Sequence, residues 1–173
     1  MMEINYDVTE EAFIDFNLYH SKNSKTYRKS MALQRFLIPV MYVMLAVIFS
    51  LILDMPLLFL LIPFLILSIV WVIFSPSLYY RMIKRTARKM IREGDNGSML
   101  GEHSMVFTEE GLKEISKTGV ASVSWSGIVD FGEDDSNFYL YNSSLSAYIL
   151  PKKDLQDAET LRKLIHEKVK KTA

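Results

Sequence analysis

The chain has 173 residues, no cysteine, and a formal net charge of zero from 20 basic and 20 acidic side chains. Without cysteine there can be neither disulfides nor thiolate metal sites, which suits a chain facing a reducing compartment. The zero balance hides a segregation. Eleven basic residues flank one apolar stretch, whereas between Asp95 and Leu150 nine acids stand against Lys113 and Lys117, a charge of −7.

Glu3 to Val8 alternate polar and apolar side chains, the period of a half-buried strand. Thr9-Glu10-Glu11 reads as a helix start, with a capping hydroxyl and acids in the first turn. Ala12, Phe13, Phe16, Tyr19 and His20 then recur at helical spacing, so a helix of about three turns is expected to dock on a core. Ser21 to Ser30 is polar and basic and reads as a connector.

From Phe36 to Phe74 the only charged side chain is Asp54. Each of the two runs, Phe36–Leu53 and Leu57–Phe74, rises about 27 Å as a helix, close to the ~30 Å hydrocarbon thickness of a bilayer. The expectation is a transmembrane hairpin with Asp54-Met55-Pro56 as its turn; the alternative is a buried helix pair of a soluble protein. About 35 mostly polar residues precede the first run and no small-residue cleavage site follows it, unlike a signal peptide. Five basic residues (Lys22, Lys25, Arg28, Lys29, Arg35) precede the hairpin, six follow it, and its turn has none. Both termini are therefore expected in the cytoplasm, in a multi-pass protein of the cell (inner) membrane with two spans. Pro39, Pro56 and Pro63 read as packing features. No acid, base or histidine lies within either span, so no ion path is expected.

Pro76 is expected to end the second span. Beyond it Tyr79, Met82, Ile83, Thr86, Ala87, Met90 and Ile91 repeat at helical spacing, with Arg81, Lys84, Arg85, Arg88, Lys89 and Arg92 between them. Such a basic amphipathic helix suits the membrane interface, where these six side chains would contact anionic headgroups. Gly94 and Gly97, around Asp95-Asn96, are expected to end it.

From Leu100 the period changes to two. Ser104–Thr108, Leu112–Ser116, Val120–Trp125, Ile128–Glu133, Asn137–Tyr141 and Ala147–Leu150 read as short strands separated by turn residues. Ala121, Val123 and Trp125 should face a core while Ser122 and Ser124 face water. Phe107, Leu112, Trp125, Ile128, Tyr139 and Ile149 are the expected core of an antiparallel meander closing toward a small barrel. Asp157 to Lys171 reads as a helix whose Leu161, Leu164, Ile165 and Val169 cap an open end. The expected organisation is residues 1–30 as a cytoplasmic strand and helix, 31–76 as the hairpin, 77–96 as the juxtamembrane helix and 97–173 as the sheet domain.

Several stretches carry a resemblance: Gly101-Glu102-His103-Ser104-Met105-Val106-Phe107-Thr108-Glu109-Glu110-Gly111-Leu112, Ser124-Trp125-Ser126-Gly127-Ile128, Tyr139-Leu140-Tyr141 and Ala147-Tyr148-Ile149-Leu150-Pro151-Lys152-Lys153. Together with the preceding strand, helix and hairpin they resemble the YcxB-like family of bacterial membrane proteins. The resemblance implies an α+β membrane protein: a two-helix transmembrane hairpin inserted before a pleckstrin-homology-like (PH-like) antiparallel β-barrel with one C-terminal capping helix, and no established activity. Neighbouring families of membrane-anchored PH-like proteins are associated with tolerance of membrane-active bacteriocins, which is an analogy at the level of fold.

Chemistry is sparse. His20, His103 and His166 fall in three different elements without ligand spacing. Asp130, Glu133, Asp134 and Asp135 lack the order and closing glutamate of a calcium loop and read as a solvated turn. No phosphate loop or nucleophile elbow is present. No catalytic residue, metal, cofactor or nucleic-acid partner is expected. Two functions remain: a membrane-tethered interaction module for a protein or peptide, or a structural or immunity-type protein acting through bilayer and hairpin, with homo-oligomers left open.

Overall fold

A computed structural model describes residues 2–93 and 99–170, so the expected helix stop at Gly94 and Gly97 lies outside the described residues. The elements are β1 (Met2–Val8), α1 (Glu10–Asn23), α2 (Lys25–Leu53), α3 (Leu57–Glu93), β2 (Gly101–Phe107), β3 (Gly111–Ser116), β4 (Gly119–Ser124), β5 (Asp130–Glu133), β6 (Asn137–Tyr141), β7 (Ala147–Pro151) and α4 (Ala158–Lys170). They fall into two compact units, Met1–His20 with Thr86–Ala173, and Ser21–Arg85.

The first unit holds the sheets. The N-terminal strand β1 pairs antiparallel with β2 in the register Met2↔Phe107 to Val8↔Gly101, so the helical hairpin is an insertion between two paired strands. The strands do not close into a barrel. They form one four-stranded sheet in the order β1-β2-β3-β4 and one three-stranded sheet in the order β5-β6-β7. The division falls at Trp125–Gly127, where the chain tightens into a 3-10 turn and the Ile128 amide turns back to the Trp125 carbonyl. That turn takes the chain off the end of one ladder before the next begins. β4 is consequently an edge strand, and Ala121, expected inside, is exposed like Ser122 and Ser124; only Val123 is half-buried.

Every residue of the central strand β6 is buried. Its Tyr139 and Tyr141 rings meet Phe16 of α1 at 5.5 and 5.9 Å between centroids. On the opposite side, Phe138 lies under the Arg162 guanidinium of α4 at 5.5 Å. α1 is thus the docked helix its apolar stripe announces, with Ala12, Phe13, Ile14 and Phe16 all buried. Close approach is possible because β5 carries glycine at 132: a Cβ there would stand 2.6 Å from the Tyr19 ring. Phe107, Leu112, Trp125, Ile128, Tyr139, Ile149, Leu161 and Ile165 are buried, and Leu164 is half-buried beside them. The Trp125 indole packs on Phe107 at 6.3 Å and donates to the Thr108 carbonyl at 3.0 Å, so its polar edge is satisfied. α4 starts on Asp157, whose carboxylate accepts the Thr160 amide at 2.9 Å.

In the second unit the connector expected at Ser21–Ser30 is helical apart from Ser24, which caps α2 in extended geometry. Asp54 ends α2 in the left-handed region at φ 49°, and its amide returns to the Ser50 carbonyl. Ser50 Oγ donates to the Met55 carbonyl at 2.7 Å, which closes the turn. Phe64 packs between Tyr42 and Phe49 at 6.3 and 6.2 Å, beside the fully buried Ala46. Pro76 does not end α3, which continues through it to Glu93. Pro76 has no N–H for the Val72 carbonyl four residues earlier, and a proline interior to a helix ordinarily disrupts it. Arg35 Nε of α2 donates to that carbonyl at 3.1 Å, which compensates the freed acceptor.

The α1 docking face yields a prediction. Phe16→Ala should cost about 3–5 kcal/mol, because a buried aromatic is lost and a cavity remains between α1 and β6. Val120→Ala, on the exposed β4, should stay within about 0.5 kcal/mol. Denaturant unfolding of the full chain in detergent, followed by far-ultraviolet circular dichroism, compares the two; equal effects would mean that α1 is not part of the core.

Candidate functional site

The helices deliver two cationic surfaces. On α3, Arg81, Lys84, Arg85, Arg88, Lys89 and Arg92 are all exposed. The apolar stripe between them divides. Met82 and Met90 remain exposed, but Ala87 is buried and joins the core of the sheet unit, with Ile91 packed against it. The C-terminal part of the stripe is therefore covered by protein. Lys89 also reaches Glu93 at 3.5 Å, an exposed pair of little energetic weight.

The second surface escaped the sequence reading. Lys22, Lys25, Arg28, Lys29 and Arg35 line a cavity of about 540 Å³ together with Tyr80. The signal was present, since 25, 28, 29, 32, 35 and 36 repeat at helical spacing, but reading Ser21–Ser30 as a connector removed the period. Lys22 Nζ stands 5.5 Å from the centre of the Tyr80 ring. No carboxylate pairs with any of the five among the described residues.

In the sheet unit two polar clusters, around Asp134 and Glu133, are internally satisfied. Asp134, considered above for a calcium loop, accepts the Ser136 and Asn137 amides at 2.9 and 2.8 Å and the Tyr139 hydroxyl at 2.5 Å. Its oxygens form the β5–β6 turn and anchor a buried tyrosine. Burial and that carboxylate together push the Tyr139 hydroxyl well above its ordinary range, so it stays protonated. Glu133 holds the three-stranded sheet to α4: it accepts from Lys152 Nζ at 3.1 Å and from Arg162 Nη2 at 2.8 Å. Sequence alone could not join these three, which lie on β5, after β7 and on α4.

A third cluster lies on the inner face of the four-stranded sheet. The Tyr6 hydroxyl donates to Glu114 Oε1 at 2.9 Å, and His103, stacked on Tyr6 at 5.5 Å, has its Nδ1 3.2 Å from the same oxygen. Burial first, then the Glu114 charge, push the Tyr6 hydroxyl far up. His20 and His166 lie elsewhere: His20 tilts against Phe16, and His166 meets Phe131 edge-on. Among the described residues no group of three or more His, Cys, Asp or Glu side chains converges on a metal-sized point. The polar arrangements of the sheet unit can therefore order turns and helices.

Glu133 supplies a pH prediction. Desolvation raises its pKa, but hydrogen bonds from Arg162 and Lys152 outweigh that and hold it below the ordinary carboxylate range. A depressed carboxyl stabilises the fold above its unfolded pKa, and the contribution is lost as pH falls through the folded value. With the side chain 37% exposed, screening limits the effect. Glu133→Gln should cost about 1 kcal/mol at pH 7. The difference from the parent chain should shrink as the pH is lowered below the carboxylate range, read from paired denaturation curves.

Residues 107–165 match the family model described as YcxB-like protein, in keeping with the resemblance carried by the motifs quoted above. The match runs from Phe107 at the end of β2 to Ile165 in α4 and covers about a third of the chain, without the hairpin. No curated protein and no solved structure matches the chain significantly.

Proposed function

We propose that this chain is an integral protein of the cell (inner) membrane, anchored by α2 and α3 with both termini cytoplasmic, which presents a PH-like domain to a protein or peptide partner and performs no catalysis. One observation carries the reading: only 6% of the most apolar 18-residue window of each long helix is buried within the protein. A helix pair in a soluble core would be mostly covered. Here Leu51, Ile52, Leu58 and Phe59 are each at least 70% exposed. Apolar area of that extent is unfavourable in water at about 25 cal/mol per Å² and is at home in hydrocarbon.

The PH-like assignment is supported by the topology. Seven antiparallel strands divided four and three and followed by one helix are the plan of that superfold, here with its first strand before the hairpin. Connectivity also supports the orientation. The chain leaves the sheet at Val8 and returns to its pairing partner Gly101, so the insertion must cross the membrane an even number of times. The basic flanks favour the cytoplasm as that common side. Along β4, exposed and unpaired on its outer edge, an extended peptide can add through main-chain hydrogen bonds. The six exposed cations of α3 from Arg81 to Arg92 are assigned to anionic headgroups, each contributing about 1 kcal/mol near a charged surface.

Reporter fusions before Met1, at Asp54 and after Ala173 test the topology. Cytoplasmic signals are expected from both ends and an external one from Asp54. An external signal at either end, or release of the protein from membranes by alkaline carbonate, refutes the reading.

A further inference from the structure

We propose that the cavity lined by the start of α2 and Tyr80 of α3 binds the phosphate of an anionic phospholipid headgroup. The proposal rests on the reading that the hairpin spans a bilayer, and it assigns a site distinct from the exposed cations of α3.

The argument begins with facing. A topology signal needs only a number of positive charges beside a span, whatever side of the helix they occupy. Lys25, Arg28, Lys29 and Arg35 instead share one face of α2, and with Lys22 and Tyr80 they line an open cavity of about 540 Å³, within the range of ligand sites. Among the described residues no carboxylate pairs with these five cations, which repel one another, and a bound anion relieves that repulsion.

Arg35 is pre-positioned for the task. Its Nε is committed to the Val72 carbonyl that Pro76 leaves without a helical donor, which fixes the guanidinium plane. The two terminal nitrogens have no protein acceptor among the described residues, and they form the fork that pairs with phosphate oxygens. Lys22, held over the Tyr80 ring, supplies a point charge from another side.

The remaining wall distinguishes a lipid from free phosphate. Met31, Ala32 and Phe36 are apolar, and Phe36 is also the first residue of the long uncharged run. The cavity therefore straddles the step from cationic to hydrocarbon-like surface. A phosphate carrying acyl chains satisfies both parts, whereas a soluble phosphate leaves the apolar wall in water.

The test uses the purified full chain in dodecyl maltoside, where orientation in a membrane no longer matters. Native mass spectrometry counts bound phosphatidylglycerol or phosphatidylcholine and gives their Kd values. The triple variant Lys25→Gln, Arg28→Gln, Lys29→Gln should weaken phosphatidylglycerol binding by about tenfold or more, since each charge near an anionic headgroup is worth on the order of fivefold. Its phosphatidylcholine binding should not change. The control Lys113→Gln, Lys153→Gln, Lys163→Gln removes the same charge from exposed positions of the sheet unit and should change phosphatidylglycerol binding less than about threefold. Equal losses in both triples would mean diffuse surface attraction and overturn the site, as would no loss in the first. The charge-keeping variant Lys25→Arg, Arg28→Lys, Lys29→Arg must retain binding; if it does not, the first loss was structural and the proposal fails. Glycerol 3-phosphate at millimolar concentration should not displace the lipid, and displacement would reassign the cavity to soluble phosphates. Failure here, with the protein still resistant to carbonate extraction, removes the lipid site and leaves the membrane anchor standing.

Discussion

The antiparallel ladder between β1 and β2 is the constraint on which the chain's organisation depends. Its partners Val8 and Gly101 are neighbours in the sheet although α1, α2 and α3 lie between them in sequence. An unstructured connection of that length would cost about 4 kcal/mol in closure entropy. Helices reduce that cost, because the turn at Asp54 brings the two long ones back together and the ends of the insertion are already near each other. The same ladder makes β1 and α1 parts of the sheet unit: without β1 the four-stranded sheet loses its edge, and without α1 one side of β6 loses its cover.

The chain puts the same residue types in two different surroundings. Phenylalanine and tyrosine are buried where they belong to the sheet unit, at Phe16, Phe107, Phe138 and Tyr139, and largely exposed in the hairpin, at Phe36, Phe59 and Phe74. Charge divides along the same line. Residues 21–85 carry eight basic side chains and Asp54, +7, whereas the rest of the chain carries twelve basic and nineteen acidic ones, −7. The acidic unit satisfies several of its charges internally, as Glu133 does with Lys152 and Arg162. Among the described residues no carboxylate pairs with a cation of residues 21–85, and that asymmetry directs attention to anionic ligands there.

Pro76 shows how a local rule can be overridden. A proline after a long apolar run predicts a stop, since its ring and missing N–H remove a helical hydrogen bond. The helix continues because a side chain on the neighbouring helix supplies the missing donor. Arg35 is 41 positions away in sequence, so its compensation was invisible to any local window.

Features whose physics is periodic or compositional can be read directly from the order of residues. The two 18-residue apolar runs, the stripe of Phe13 and Phe16, the strand alternation after Leu100 and the helix through Leu161 and Ile165 were legible, because burial of one face imposes a period on the chain. The YcxB-like motifs were legible for the same reason, being mostly core and turn residues. Which distant elements meet is a matter of how the chain folds. The Trp125–Gly127 turn splits the strands into two sheets instead of one barrel, and Ala121 lies on an exposed edge despite its alternating pattern. Glu133, Lys152 and Arg162 converge from separate elements, and the cations of α2 gather around Tyr80 of α3. Each of these depends on contacts between residues far apart in the chain, which follow from how helices and sheets pack and leave no period in the sequence to read.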